Sequence, residues 1–135
     1  MIWNRIFTNI KQITMEFQNN QPIFMQIVDV ICDRVLRGEV KTDEQIPSVR
    51  ELAMQMQVNP NTVQRAIERL LQGEIIYSQR GKGNFLADGA IDKIQEMRSK
   101  RFYEEQLPLI AREMKLLGIT TEKISEKLSL LMQQN

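Results

Sequence analysis

The chain has 135 residues, 42% of them hydrophobic and 26% charged, with a formal net charge of +1. That length holds one domain of ordinary size plus an appendage, and the composition excludes both wholesale disorder and a membrane-embedded chain. One cysteine and no histidine rule out an internal disulfide, leave almost no basis for a zinc site, and remove the commonest general base.

Near-neutral total charge does not announce a nucleic-acid binder, so the distribution of charge must decide. No apolar run approaches the roughly 18–20 residues a bilayer span needs, and no secretory signal pattern is present. The expected location is the cytoplasm.

In residues 1–14, Trp3, Ile6, Phe7, Ile10 and Ile13 fall at helical spacing and would form one apolar stripe. A helix packing on a core or partner, a membrane-surface anchor, and an upstream extension ahead of an original start at Met15 all remain open.

From Pro22 to Arg37, Phe24, Ile27, Val28, Ile31 and Val35 repeat at the period of a helix with one buried face, and Gly38 follows as a stop. Cys32 sits within this stretch and reads as a small core residue. After the polar loop Thr42–Ile46 and Pro47, Ser48-Val49-Arg50-Glu51 forms a capping box. The second helix thus begins at Ser48, carries Leu52, Ala53 and Met56 inward, and ends near Gln57.

Asn59 then supplies an N-cap and Pro60 occupies the first helical position, where the missing amide costs nothing. The third helix runs to about Gln72 with Val63, Ala66, Ile67, Leu70 and Leu71 on its core side. Asn61, Arg65, Glu68 and Gln72 lie opposite, flanked by Thr62 and Gln64. Past Gly73 the period changes. Ile75–Ser78 reads as a strand, Arg80-Gly81-Lys82-Gly83 as a turn, and Asn84–Leu86 as the returning strand.

Residues 89–135 are helix-prone, with Ile91, Ile94, Met97, Tyr103, Leu107, Ile110, Met114 and Leu117 as apolar markers. Pro108 must kink or interrupt this helix and Gly118 ends it. Thr120 caps a last helix, with Ile119 and Ile124 spaced as a hydrophobic staple. The domain plan is an extension over 1–14, a winged helix-turn-helix over 15–88 and a helical region over 89–135. The fold class is mostly α with one small β-hairpin.

Three helices followed by a hairpin with a cationic, glycine-rich tip is the order of parts in a winged helix-turn-helix. Five apolar residues hold the third helix on the core, which frees its outer face for a major groove. Asn61, Thr62, Gln64 and Arg65 offer donors and acceptors there, whereas Glu68 one turn on would repel phosphates, so the helix enters by its N-terminal half. Arg80 and Lys82 flank Gly81, a small residue that lets the tip approach a phosphate or minor groove, and Arg50 opens the second helix. Singly, each residue has a plain alternative: glycines make hairpin turns, and exposed Asn, Gln and Arg are most often merely solvated. Their ordered combination carries the argument.

Three stretches, Ile46–Ala53, Val58–Ala66 and Arg80–Phe85, resemble the DNA-binding domain of GntR-family regulators over about Gln21 to Ala87. The short C-terminal remainder is similar to that of the YtrA-type subfamily. The resemblance implies that Arg50 of the second-helix motif, Asn59, Asn61, Thr62 and Gln64 of the recognition helix, and Arg80, Gly81 and Lys82 of the wing contact DNA, with the wing in the minor groove; Ser48 and Arg65 complete the expected DNA-binding residues beside them. Two departures stand out. Thr42-Asp43 occupies a place where Pro-Gly is common, and Pro60 replaces a frequent arginine or serine, removing one possible donor.

Residues 89–135 cannot by themselves enclose a ligand pocket of about 300 Å³ or more. Their apolar markers Ile94, Tyr103, Leu107, Ile110, Met114 and Leu117 are better explained by a second copy, as the resemblance also implies. The expected function is a cytoplasmic regulator, a repressor, acting as a homodimer on a palindromic double-stranded operator. No cofactor or membrane partner is expected, and an effector is left open. A winged-helix module for protein assembly is the competing reading. Enzymatic activity is not expected, because no nucleophile–base pair, metal cluster or phosphate-cradling loop is present.

Overall fold

A computed structural model describes residues 21–134. The expected stripe over residues 1–14 and the question of Met15 lie outside the described residues. The elements are α1 (Ile23–Leu36), α2 (Val49–Met56), α3 (Pro60–Gln72), β1 (Ile76–Gln79), β2 (Gly83–Leu86), α4 (Ala90–Arg101), a π-helical turn (Phe102–Gln106), α5 (Leu107–Leu117) and α6 (Thr121–Gln133).

The apolar stripe of α1 is wider than its spacing suggested, because Val30 and Cys32 join Ile27, Val28, Ile31 and Val35 in the core. The helix ends in a Schellman arrangement: the Gly38 N–H donates to the Val35 carbonyl and the Glu39 N–H to that of Arg34, each at 3.0 Å. Arg34 and Glu39 close the same turn with an ion pair at 2.9 Å.

The capping box of α2 forms as expected. The Ser48 Oγ accepts from the Glu51 N–H at 3.1 Å, and Glu51 Oε1 accepts from the Ser48 N–H at 3.3 Å. Gln57 then takes a left-handed conformation (φ 54°) to turn the chain into α3. Asn59 caps α3 through its side-chain oxygen, 2.8 Å from the Asn61 nitrogen, with Pro60 at the first helical position. Val63, Ala66, Ile67 and Leu70 are buried, and Leu71 packs at the core margin. Both α1 and α2 pack on α3, so the third helix is the keel of the domain.

The hairpin pairs Ile76 with Leu86, Tyr77 with Phe85, Ser78 with Asn84 and Gln79 with Gly83. Burial of Ile75, Ile76 and Leu86 seals the hairpin to the core. The loop before α2 adds a short third edge: Gln45 bridges to Phe85, the Ile46 N–H donates to the Asn84 carbonyl (2.9 Å), and the Leu86 N–H donates to that of Glu44 (2.9 Å).

The second half adds two findings. The compact units divide between Met97 and Arg98. The reason is that α4 begins as part of the winged domain, with Ala90 and Ile94 buried in its core and Lys93 paired to Glu74 at 3.1 Å. Ile94 is 0% exposed and already has its full set of apolar neighbours, so it is withdrawn from the dimerisation residues.

In the second unit, Pro108 interrupts the helical ladder as expected, and the form of the interruption is a π-helical turn at Phe102–Gln106 that lets α5 restart at Leu107. Left-handed Gly118 (φ 67°) ends α5, and the Thr120 Oγ1 caps α6 by accepting from the Lys123 N–H at 3.2 Å. Between Phe102 and Gln134 no residue is buried, and only Met114 and Ile124 are half-buried. No helix among the described residues is long and apolar enough to cross a membrane.

Candidate nucleic-acid interface

The amphipathic period of α3 fixes which side chains it offers. With Val63, Ala66, Ile67 and Leu70 turned inward, Asn61, Gln64, Arg65 and Glu68 are exposed and Thr62 is half-buried. The first turn of α3 also has helix amides without intrahelical partners, one of which Asn59 satisfies. Asn59 is thus a capping residue first, with its amide NH₂ left over for a ligand. Gln64 leans along the helix, its Nε2 donating to Glu68 Oε1 at 3.3 Å.

Arg65 is less free than its exposure suggests, because its guanidinium lies over the Phe24 ring of α1, 4.4 Å from the centroid. At the start of α2, the Ser48 oxygen accepts the capping bond while its O–H remains a donor. Arg50 is exposed one position into that helix.

The wing tip is a tight turn closed by the Lys82 N–H donating to the Gln79 carbonyl at 3.0 Å, with Gly81 at φ 78°. That left-handed angle is what a glycine supplies at low cost. Arg80, Gly81 and Lys82 are all exposed. Among the described residues no acidic side chain pairs with Arg50, Arg80 or Lys82, which keep their charges unneutralised, unlike Arg34 beside Glu39 and Lys93 beside Glu74. Here is the positive surface that a net charge of +1 conceals.

Sequence reasoning missed the supports beneath this surface. Asp43 adopts φ 65°, so the loop lacking Pro-Gly keeps a glycine-like conformation, and Asp is among the few residues that tolerate it. Its carboxylate accepts from the Tyr77 hydroxyl at 2.7 Å, and that hydrogen bond, aided by burial and by the negative charge, raises the Tyr77 pKa above its usual value. The Tyr77 ring stacks on Phe85 across the hairpin at 5.7 Å. Gln45 reaches the wing tip, its Nε2 donating to the Lys82 carbonyl at 2.8 Å. An aspartate in a tight turn is a readable signal; the contacts of Gln45 and Phe24 have none within their own segments.

The family model for bacterial regulatory proteins of the gntR family matches residues 25–86, from α1 to the end of β2. The HTH-type transcriptional regulator YhcF of Bacillus subtilis is 39% identical over 82% of this chain and 90% of its own length. This chain belongs to the GntR family. The HTH-type transcriptional repressor YtrA of Bacillus subtilis is 32% identical over 84% of this chain and 87% of its own, which makes the protein a GntR regulator of the YtrA type. The crystal structure of a GntR-family transcriptional regulator from Bacteroides thetaiotaomicron has 38% identity and a TM-score of 0.68, covering 84% of this chain and all of that one.

The GntR assignment accounts for the winged helix-turn-helix and identifies the protein as a DNA-binding regulator of transcription. GntR proteins and these relatives are regulators rather than enzymes. The competing reading as an assembly module is set aside on the same ground.

Proposed function

We propose that the protein is a cytoplasmic repressor that binds a palindromic operator as a homodimer, with the N-terminal half of α3 in the major groove and the wing in the minor groove. The observation that carries this reading is the division of α3: a fully buried apolar side against an exposed amide- and guanidinium-bearing side, with the unneutralised cations Arg50, Arg80 and Lys82 on the neighbouring elements. Asn61, Thr62 and Gln64 suit base edges, whereas Ser48, Arg50 and Arg65 suit phosphates and fix the register. Glu68 marks where the helix leaves the groove.

Pairing is argued from the second unit. Tyr103 and Leu117 are 66% and 62% exposed, Leu107 and Ile110 are also exposed, and Met114 is half-buried. A second copy covering them would pair two winged domains, and a two-fold protein matches a two-fold site. Repression follows the character of YtrA, a repressor by name.

The test is to select duplexes from a random pool with the purified protein and to titrate the recovered site. Arg50→Ala and Arg80→Ala are each expected to cost about 1–3 kcal/mol of affinity while leaving the oligomeric state alone. Wild-type binding should weaken steeply with salt as condensed counterions are released. Unchanged affinity in both variants would refute the assignment of the site.

A further inference from the structure

We propose that Gln45 is a positioning residue for operator recognition: it straps the wing tip to the start of α2 and so sets where Arg80 and Lys82 stand relative to Ser48 and Arg50. This inference rests on the reading that the wing meets DNA. Three observations converge on it. The Gln45 Nε2 donates to the Lys82 carbonyl at 2.8 Å across 37 residues of sequence. The Gln45 backbone is itself held against the hairpin, by its bridge to Phe85 and by the bond from the Ile46 N–H to the Asn84 carbonyl.

The third observation concerns Gly83. A Cβ built there would stand 2.8 Å from Gln45 Nε2, and the backbone angle is φ 124°. The glycine therefore leaves open the space the Gln45 amide crosses to reach its acceptor. On the other side, Ile46 is buried, and Pro47 leads directly to the capping serine of α2. One short segment thus runs from a core anchor to both groups of DNA-facing residues.

The position of this bond argues against a purely structural role. Gln45 is exposed, so without the bond the Lys82 carbonyl turns to water at small net cost to folding. What is lost is the fixed place of the tip, whose two cations then have to be ordered when DNA binds.

The experiment is a set of double-mutant cycles on the full chain with a duplex recovered from the random pool. Gln45→Met keeps length and removes the donor. It is expected to weaken binding about three- to tenfold, the cost of ordering the freed tip on DNA, with the melting temperature unchanged. In a chain carrying both Arg80→Ala and Lys82→Ala the same change should have no further effect, whereas in Arg50→Ala it should keep its full effect.

If Gln45→Met lowers the melting temperature, Gln45→Asn, which stays polar but falls short of the carbonyl, takes its place in the same cycles. Wild-type affinity in the Gln45 variants, or an equal loss in both backgrounds, overturns the proposal while the wing reading stands. If Arg80→Ala with Lys82→Ala costs nothing, the wing reading fails and this one with it.

Discussion

The guanidinium of Arg65 on α3 lies over the ring of Phe24 on α1, 4.4 Å from its centroid. A flexible cation on the helix proposed to meet DNA is thereby held by an aromatic face on a helix that packs on the core. Such contacts contribute about 0.5–1 kcal/mol at exposed sites, and the ordering lowers the cost of presenting Arg65 to a phosphate.

Phe24→Leu should therefore weaken operator binding about two- to fivefold while leaving the salt dependence of the affinity unchanged, since every cation is retained. Arg65→Ala should weaken binding and reduce the salt slope by about one. Titrations at several salt concentrations check both. Full affinity in Phe24→Leu beside a loss in Arg65→Ala would mean that the ring does not prepare the arginine.

Ser48 caps α2 and is proposed to meet DNA, and two substitutions separate these roles. Ser48→Ala removes the acceptor for the Glu51 N–H and should destabilise the chain by about 1 kcal/mol, read by urea denaturation. Ser48→Asp keeps a capping acceptor but points a negative charge at a phosphate, so stability should hold while DNA binding falls. Undiminished binding by the aspartate variant would remove Ser48 from the interface.

Tyr77 gives a pH-dependent signature of the loop before α2. Its pKa is raised, chiefly by the hydrogen bond to Asp43. A raised folded-state pKa means that the stabilisation is fully present below the unfolded value of about 10 and is lost as pH rises through the higher folded value. Tyr103→Phe leaves Tyr77 as the only tyrosine of the chain. In that variant the phenolate absorbance should titrate above the free-tyrosine midpoint, and Asp43→Asn should bring it down. Equal midpoints with and without the aspartate would show that the bond is absent in solution.

Ile94 and Leu107 make a contrasting pair. Ile94→Ala opens a cavity in the winged domain and should cost about 2–5 kcal/mol without changing the sedimentation coefficient. Leu107→Asp or Ile110→Asp should do the reverse, leaving the winged domain folded and yielding a monomer. A monodisperse dimer in both aspartate variants would move the interface elsewhere.

The parts of the fold legible in the sequence are those set by neighbours along the chain. The Ser48/Glu51 box, the Asn59-Pro60 start and the inward stripe of α3 need only local chemistry and helical period. So does the turn at Gly81. What escaped was tertiary. Ile94 has the same spacing whether its partner is a second copy or the core of its own domain, and only the packed structure separates the two. The contacts of Gln45 with Lys82 and of Phe24 with Arg65 join segments far apart in sequence, and nothing in either segment announces the other. Pro108 signalled a broken helix, but not that a π-helical turn would absorb the break.

The uncovered apolar side of residues 102–134 has a consequence for dosage. If a second copy is what covers it, then at low abundance the paired form grows with the square of the amount made. Dilution by growth and division would then empty a two-fold promoter site faster than the protein itself declines. A chain of this design would sense its own abundance through nothing more than greasy side chains left in water.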